Sequence, residues 1–203
     1  MGKKYTFSFT AGNLFMGTAP SIATLYLSTR DWDQVRSQML EQNLLQARAH
    51  ASLLRLTNEL LARLKVLTPC ELELLSSGSI KEQRQVLWLA AAKQYLFVRE
   101  FATEVLRDKY LRYSRQLNHQ DFDIFFNNKA EWEEHLNSLT ILTKEKIRQV
   151  LFQMMVDAEL VSPDWEILPT LLSPEVANCL KEDDPSFFQV FNLFDRDIDR
   201  YIV

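Results

Sequence analysis

The chain has 203 residues, of which 47% are hydrophobic and 25% charged, a composition that excludes a largely disordered protein and predicts a sizeable core. It contains no apolar run of about 18 residues, so we expect no transmembrane helix. The lysines near its start precede no apolar stretch, so we expect no signal peptide and predict a cytoplasmic protein.

Positive charge is concentrated in the first half of the chain and negative charge in the second. Residues 1–115 carry 16 Lys+Arg against 10 Asp+Glu, a difference of +6, and residues 116–203 carry 7 against 17, a difference of −10. Such asymmetry indicates a partner that is itself charged, most often nucleic acid. We therefore predict a basic N-terminal subdomain, residues 1–116, and an acidic C-terminal subdomain, residues 117–203.

Helical patterning dominates the first half. Residues 5–9 alternate apolar and polar side chains and are interpreted as a short edge strand or an anchoring arm. The helices predicted next are one from Thr10, interrupted near Pro20 and resuming through Leu27, one capped by Asp31, one from about Leu44 to Leu67, and one from Pro69 through Leu75.

The segment from about Lys81 to Arg115 is predicted as one long helix. Its middle is apolar on nearly every side, which is typical of a helix buried in the centre of a fold. Its C-terminal part becomes basic, and we predict that Arg107, Lys109 and Arg112 contact DNA.

The second half predicts a winged-helix-like unit. A helix from about Gln120 to Leu136 is followed by one capped by Thr143, then by a small hairpin over residues 160–168, and Ser173 begins one more helix. Glu159 stands where such units often have glycine. The predicted fold class is thus mainly α, a multi-helix bundle with a winged-helix-like C-terminal subdomain carrying a small β-hairpin.

No catalytic or metal-binding pattern is recognisable. The three histidines, His50, His119 and His135, have no metal-ligand spacing to one another, and the glycines near the start lack the lysine of a phosphate-binding loop. We therefore expect a protein that is not an enzyme and needs no cofactor or metal. The two cysteines, Cys70 and Cys179, are interpreted as buried thiols of a reducing cytosol.

Two basic faces are candidates for contact with phosphate. Arg48, Arg55 and Arg63 fall within about 80° of one another on a helix, opposite its leucine stripe, and such a row suits a phosphate backbone. Lys144, Lys146 and Arg148 lie in the first turns of the predicted recognition helix, which meet DNA in winged-helix proteins. The alternative for the arginine row is an ordinary solvated face, and for the second face it is a winged helix used for protein contacts, with the lysines in solvent.

Several segments resemble the BrxA family, small proteins of the bacteriophage-exclusion (BREX) defence islands of bacteria. The segments that carry the resemblance are Tyr5–Gly12, Glu41–Arg48, Gln83–Leu89, Arg99–Ala102, Phe122–Phe126, Lys129–Trp132 and Arg148–Phe152. The resemblance implies an all-helical, non-enzymatic DNA-binding component of a phage-defence system that also includes a methyltransferase. It supplies no residue-level binding motif.

The function expected from the sequence is therefore binding of double-stranded DNA, mainly through phosphates, in association with other BREX proteins and without a membrane. Two alternatives remain open at this point. One is an RNA-binding helical protein, and the other is an assembly adaptor that bridges defence proteins without touching nucleic acid.

Overall fold

A computed structural model describes residues 5–202, which are mainly helical, as predicted. The α-helices of this range are α1 (Ala19–Thr29), α2 (Trp32–Glu41), α3 (His50–Leu64), α4 (Pro69–Ser77), α5 (Ile80–Gln94), α6 (Leu96–Phe101), α7 (Asp108–Leu111), α8 (His119–Ala130), α9 (Glu134–Asn137), α10 (Ile141–Asp157), α11 (Pro174–Asp183) and α12 (Asp195–Ile202). Along residues 5–202, no helix combines the length and apolar character needed to cross a bilayer. The lysines at positions 3 and 4 lie outside the described residues.

Three of these helices, α2, α4 and α11, begin where the sequence predicts. The Asp31 carboxylate accepts the backbone N–H groups of Asp33 and Gln34 at 2.8 and 3.2 Å and starts α2. Pro69 stands in the first turn of α4, and the Ser173 hydroxyl caps α11. The Asp31 and Ser173 side chains satisfy N–H groups that have no partner within the helix, and Pro69 has no N–H that needs one, so the local sequence alone sets these boundaries.

The N-terminal residues form an anchoring arm, not a strand. Tyr5 and Phe9 are buried, and Ser8–Ala11 makes one short 3-10 turn. The predicted helix from Thr10 is wrong, because Pro20 lies in the first turn of α1 and begins that helix instead of interrupting an earlier one.

Helix α3 is shorter than the predicted helix from Leu44 to Leu67. Asn43 and Gln46 have φ angles of 47° and 50°, in the left-handed region. The Asn43 side chain also donates to the Ala47 carbonyl at 3.0 Å and accepts the Ala47 N–H at 2.9 Å. This closed loop, which hydrophobic periodicity does not register, delays the helix until His50.

The predicted central helix is buried, but it is not continuous. Tyr95, with φ −117° and ψ 109°, separates α5 from α6, and a π-helical stretch, Ala102–Arg107, precedes α7. Trp88 is fully buried at the centre of α5, and its indole N–H donates to the Val190 carbonyl at 2.9 Å. The residues on both sides of the break are still buried in the core, and the Tyr95 hydroxyl reaches Glu59.

In the second half, Thr140 and not Thr143 caps α10. The Thr140 hydroxyl accepts the Thr143 N–H at 3.2 Å, so the helix starts one turn earlier than predicted. Glu159, with φ 57°, terminates it in the left-handed conformation normally taken by glycine. The predicted hairpin is reduced to the isolated antiparallel bridge Val161–Ile167, and a second bridge joins Gln116 to Glu166.

Helix α11 packs against α4, and the two are joined covalently. Cys70 and Cys179 form a disulfide with their Cα atoms 5.8 Å apart, so the prediction of two free thiols is wrong. Beside it, the Lys93 ammonium lies 2.6 Å from Glu71 and 2.7 Å from Asp183. These links cross the predicted subdomain boundary, and buried side chains from both parts share one apolar core. The division into 1–116 and 117–203 stays a prediction.

Candidate nucleic-acid interface

The first predicted face, Arg48, Arg55 and Arg63, does not assemble. Arg48 lies in the loop before α3, and Arg55 is exposed on that helix. Arg63 retains only 1% of its surface exposed, so its prediction as an exposed member of the row is wrong. The leucine stripe does mark a buried side of α3, as predicted. The opposite side is not wholly exposed, because the N-terminal arm covers part of it.

Arg63 instead holds the N-terminal arm to α3. Its guanidinium pairs with Glu59 at 2.7 Å and donates to the carbonyls of Asn13, Gly12 and Phe9 at 2.7, 3.2 and 3.3 Å. The Tyr95 hydroxyl donates to the same Glu59 carboxylate at 2.6 Å, and burial together with this bond raises the pKa of Tyr95. Four of its five N–H donors are used inside the protein, and a guanidinium this buried is out of reach of a phosphate.

The basic end of the central helix is largely neutralised. Arg107 is buried and pairs with Asp195 at 2.6 Å. Lys109 pairs with Asp121 at 2.7 Å, and the exposed Arg112 pairs with Asp108 at 3.0 Å. Of these three predicted residues, Arg112 alone is open to solvent on most of its surface.

The second predicted face does assemble, at the N-terminal half of α10. Lys144 and Arg148 lie on the side that faces α8, where both approach Asp123, at 3.4 and 3.5 Å. Lys144 also lies 4.8 Å from the centre of the Phe126 ring. Lys146 is exposed, with the Gln149 side chain as its hydrogen-bond partner at 3.3 Å. Three cations stand against two carboxylates, Asp123 and Glu145, so this surface keeps a small positive excess.

A groove of about 750 Å³ runs along the same helix. It is bounded by α10, by the start of α8 and by the turn at residues 162–165. Its walls are formed by His119, Leu142, Glu145, Lys146, Arg148, Gln149, Phe152, Gln153, Val156, Pro163 and Trp165. Two of the predicted cations, Lys146 and Arg148, therefore stand at the edge of this groove.

Aromatic side chains line one wall of this groove, and sequence reasoning missed them. The Trp165 ring lies 4.6 Å from His119 and 5.4 Å from Phe152, centre to centre. Trp165 has a φ of 63°, in the left-handed region. A tryptophan immediately after a Ser-Pro-Asp turn was the signal available in the sequence.

No group of three or more His, Cys, Asp or Glu side chains among residues 5–202 is arranged to hold a metal ion. What this surface offers chemically is positive charge and an aromatic wall. Those are the means of binding a phosphate backbone and its bases.

Comparison with known proteins identifies the family of the chain. The family model named BrxA matches residues 3–184. The chain belongs to the BrxA family. Over 125 residues it is 26% identical to the BREX protein BrxA of Bacillus cereus (strain H3081.97), a match that covers 62% of this chain and 62% of that relative, less than two thirds of its length.

A solved structure has the same fold. The crystal structure of an uncharacterized protein from Magnetospirillum magneticum superposes with a TM-score of 0.80 over 93% of this chain and 96% of that one. The two sequences are 22% identical, so the likeness concerns the fold alone. The BrxA assignment therefore rests on sequence, and the fold comparison supports the helical architecture.

Proposed function

We propose that this BrxA-family protein is a non-enzymatic component of a BREX phage-defence system and binds double-stranded DNA mainly through its phosphates. Family membership and the name of the Bacillus relative, a BREX protein, support the defence role. The observation that carries the DNA-binding role is the basic first half of α10, where Lys144, Lys146 and Arg148 meet the groove and α8.

The ion pairs on this face are long compared with the buried ion pairs of the protein. Lys144 and Arg148 approach Asp123 at 3.4 and 3.5 Å, whereas Lys109 contacts its partner Asp121 at 2.7 Å. Exposed pairs of this kind contribute little stability, on the order of 0–1 kcal/mol. Arg148 is therefore available to a phosphate at small cost, whereas Lys144 also gives up a hydrogen bond to Asn127 at 3.1 Å and its contact with the Phe126 ring.

The order of elements supports a winged-helix reading of this region. A bridge at Gln116 precedes α8, the short α9 and α10, and the chain then returns through the bridge Val161–Ile167 and pairs Glu166 with Gln116. In helix-turn-helix proteins the recognition helix presents its N-terminal residues to DNA. Helix α10 occupies that position, and its exposed residues Ile141 and Leu142 precede the cations.

The proposal is tested by measuring the affinity for labelled duplex DNA at low salt. We expect the wild-type protein to bind, and Lys146→Glu to weaken binding at least about tenfold, because it replaces a phosphate contact by repulsion. Lys181→Glu is the matched control, since Lys181 is an exposed lysine on α11 that does not border the groove. Absence of binding by the wild type, or an equal loss in both variants, contradicts the proposal.

A second candidate, an adaptor for other BREX proteins, is favoured by a different observation. Trp132 is 86% exposed and stands between Glu131 and Glu133. Exposed aromatic side chains with an acidic surround suit a protein interface with a basic partner. The adaptor role predicts that Trp132→Ala abolishes capture of purified BREX proteins in the presence of nuclease while duplex DNA binding is unchanged. Competition with structured RNA separates RNA binding from both.

A further inference from the structure

The groove beside α10 has more aromatic surface than contact with a phosphate backbone requires. Its volume of about 750 Å³ is within the range of sites that take small organic ligands, about 300–1,000 Å³. A flat row of cations would serve phosphates equally well. The recess behind that row therefore needs an occupant of its own.

The aromatic wall is fixed in place by its turn. Trp165 donates its N–H to the Ser162 carbonyl at 2.9 Å and accepts the Leu117 N–H at 3.0 Å. The Gln116 side chain donates to the Asp164 carbonyl at 2.9 Å. These bonds hold the Trp165 ring against the groove, where it is half-buried beside the exposed ring of His119. The Trp165 and His119 rings both contact the buried Phe152, and both line the groove.

Charge at the edge of the groove limits what the ligand carries. Lys146 and Arg148 contribute two positive charges and Glu145 one negative charge, and Arg148 is also shared with Asp123. The small positive excess suits one phosphodiester. It suits a free nucleoside triphosphate poorly, because several phosphate charges would meet Glu145 at the same edge.

We propose that this groove binds one unpaired nucleotide of a DNA strand, with its base against the rings of Trp165 and His119 and its phosphate at Lys146. The inference rests on the proposed DNA-binding function and deepens it. Every base has a π-face that stacks on aromatic side chains without regard to sequence. An unpaired base can enter the groove without the breaking of a base pair, so the groove would favour duplexes that contain one.

The test compares affinities for a blunt duplex and for the same duplex carrying one unpaired thymidine. We expect the wild type to prefer the second by at least about fivefold, the weak end of base–aromatic stacking. We expect His119→Ala and Trp165→Leu to remove the preference and to retain binding to the blunt duplex. Trp132→Ala, which removes an exposed tryptophan that does not line the groove, should keep the preference.

Equal affinity for the two duplexes in the wild type, or a preference that survives His119→Ala, overturns the inference. His119 is exposed, so that variant decides the matter even where Trp165→Leu unfolds the turn. Thymidine 5′-monophosphate is the competitor that separates a strand from a free nucleotide. If it displaces the duplex at equal concentration, the site takes free nucleotides and the proposed ligand is wrong. If the wild-type protein does not bind the blunt duplex at all, the result contradicts the proposed DNA-binding function and not only the further inference.

Discussion

Replacement of Arg63 separates a structural arginine from a DNA-contacting one. Arg63→Met keeps much of the buried apolar stem but removes the guanidinium, which pairs with Glu59 at 2.7 Å. Breaking a buried pair by removing one partner costs about 3–5 kcal/mol, because the remaining charge stays uncompensated. Glu59 retains the Tyr95 hydroxyl at 2.6 Å, so we expect the lower end, about 3 kcal/mol.

The same substitution frees the N-terminal arm. The carbonyls of Phe9, Gly12 and Asn13 lose their shared donor and must turn to water. For a chain of this length, about 3 kcal/mol corresponds to a fall in Tm of roughly 6–12 °C. Urea denaturation followed by circular dichroism measures the free energy of unfolding, and Arg55→Met, on the exposed side of α3, should stay within about 0.5 kcal/mol of wild type.

The double variant Glu59→Gln/Arg63→Met sharpens the test. Removing both charges relieves the uncompensated carboxylate, so we expect it to be at least about 1 kcal/mol more stable than Arg63→Met alone. The reasoning is refuted if Arg63→Met unfolds like wild type and weakens duplex DNA binding as much as Lys146→Glu does. That result would place Arg63 on the DNA-contacting surface, as the sequence first suggested.

Two further predictions concern the disulfide and the caps. Changing Cys70 and Cys179 to Ser should lower the free energy of unfolding without reductant by up to about 4.7 kcal/mol, since the bond closes a sequence separation of 109. Dithiothreitol should destabilise wild type but not that variant, and identical melting curves with and without it would contradict the bond. The backbone N–H and hydroxyl of Ser79 hold the pKa of Glu82 below its usual 4.5, so the stability that this carboxylate contributes is present above pH 4.5 and is lost as the pH falls through the folded-state pKa. Glu82→Gln should flatten this acid limb in unfolding curves measured from about pH 7 to about pH 3, and an unchanged limb would exclude Glu82 as its source.

Helix starts were predicted well from the sequence where a single side chain decides them. Asp31, Pro69 and Ser173 each begin a helix at the expected place because capping depends on neighbours only a few residues away. Thr140 and Thr143 both fit the rule for α10, and the choice between them was wrong. Two hydroxyls three residues apart are equally good caps in a sequence.

Interruptions inside apolar segments could not be predicted. Tyr95 divides the central helix so that its hydroxyl meets Glu59, a residue 36 positions earlier in the chain. The loop before α3 depends on left-handed backbone at Asn43 and Gln46, and the spacing of hydrophobic residues does not indicate such a conformation. Both features depend on hydrogen bonds whose partners a pattern of apolar residues does not identify.

The candidate site was predicted in part, because charge periodicity locates cations but not the groups that cover or pair with them. Lys146 remained open, whereas Arg63 was covered by the N-terminal arm and Arg107 met Asp195 from a helix 88 residues away. The aromatic wall escaped the same reasoning, since His119, Phe152 and Trp165 come from three separate segments. These three side chains come together because the segment after α10 folds back beside the start of α8.

The salt dependence of duplex DNA affinity tests the central claim most directly. If Lys144, Lys146 and Arg148 each neutralise one phosphate, the logarithm of the association constant should fall with a slope of about −2.7 against the logarithm of salt concentration, about 40-fold between about 50 and 200 mM. The variant with all three changed to Ala should lose most of that slope, while Lys181→Ala should keep it. A triple variant with wild-type affinity and slope would contradict the assignment of DNA binding to α10.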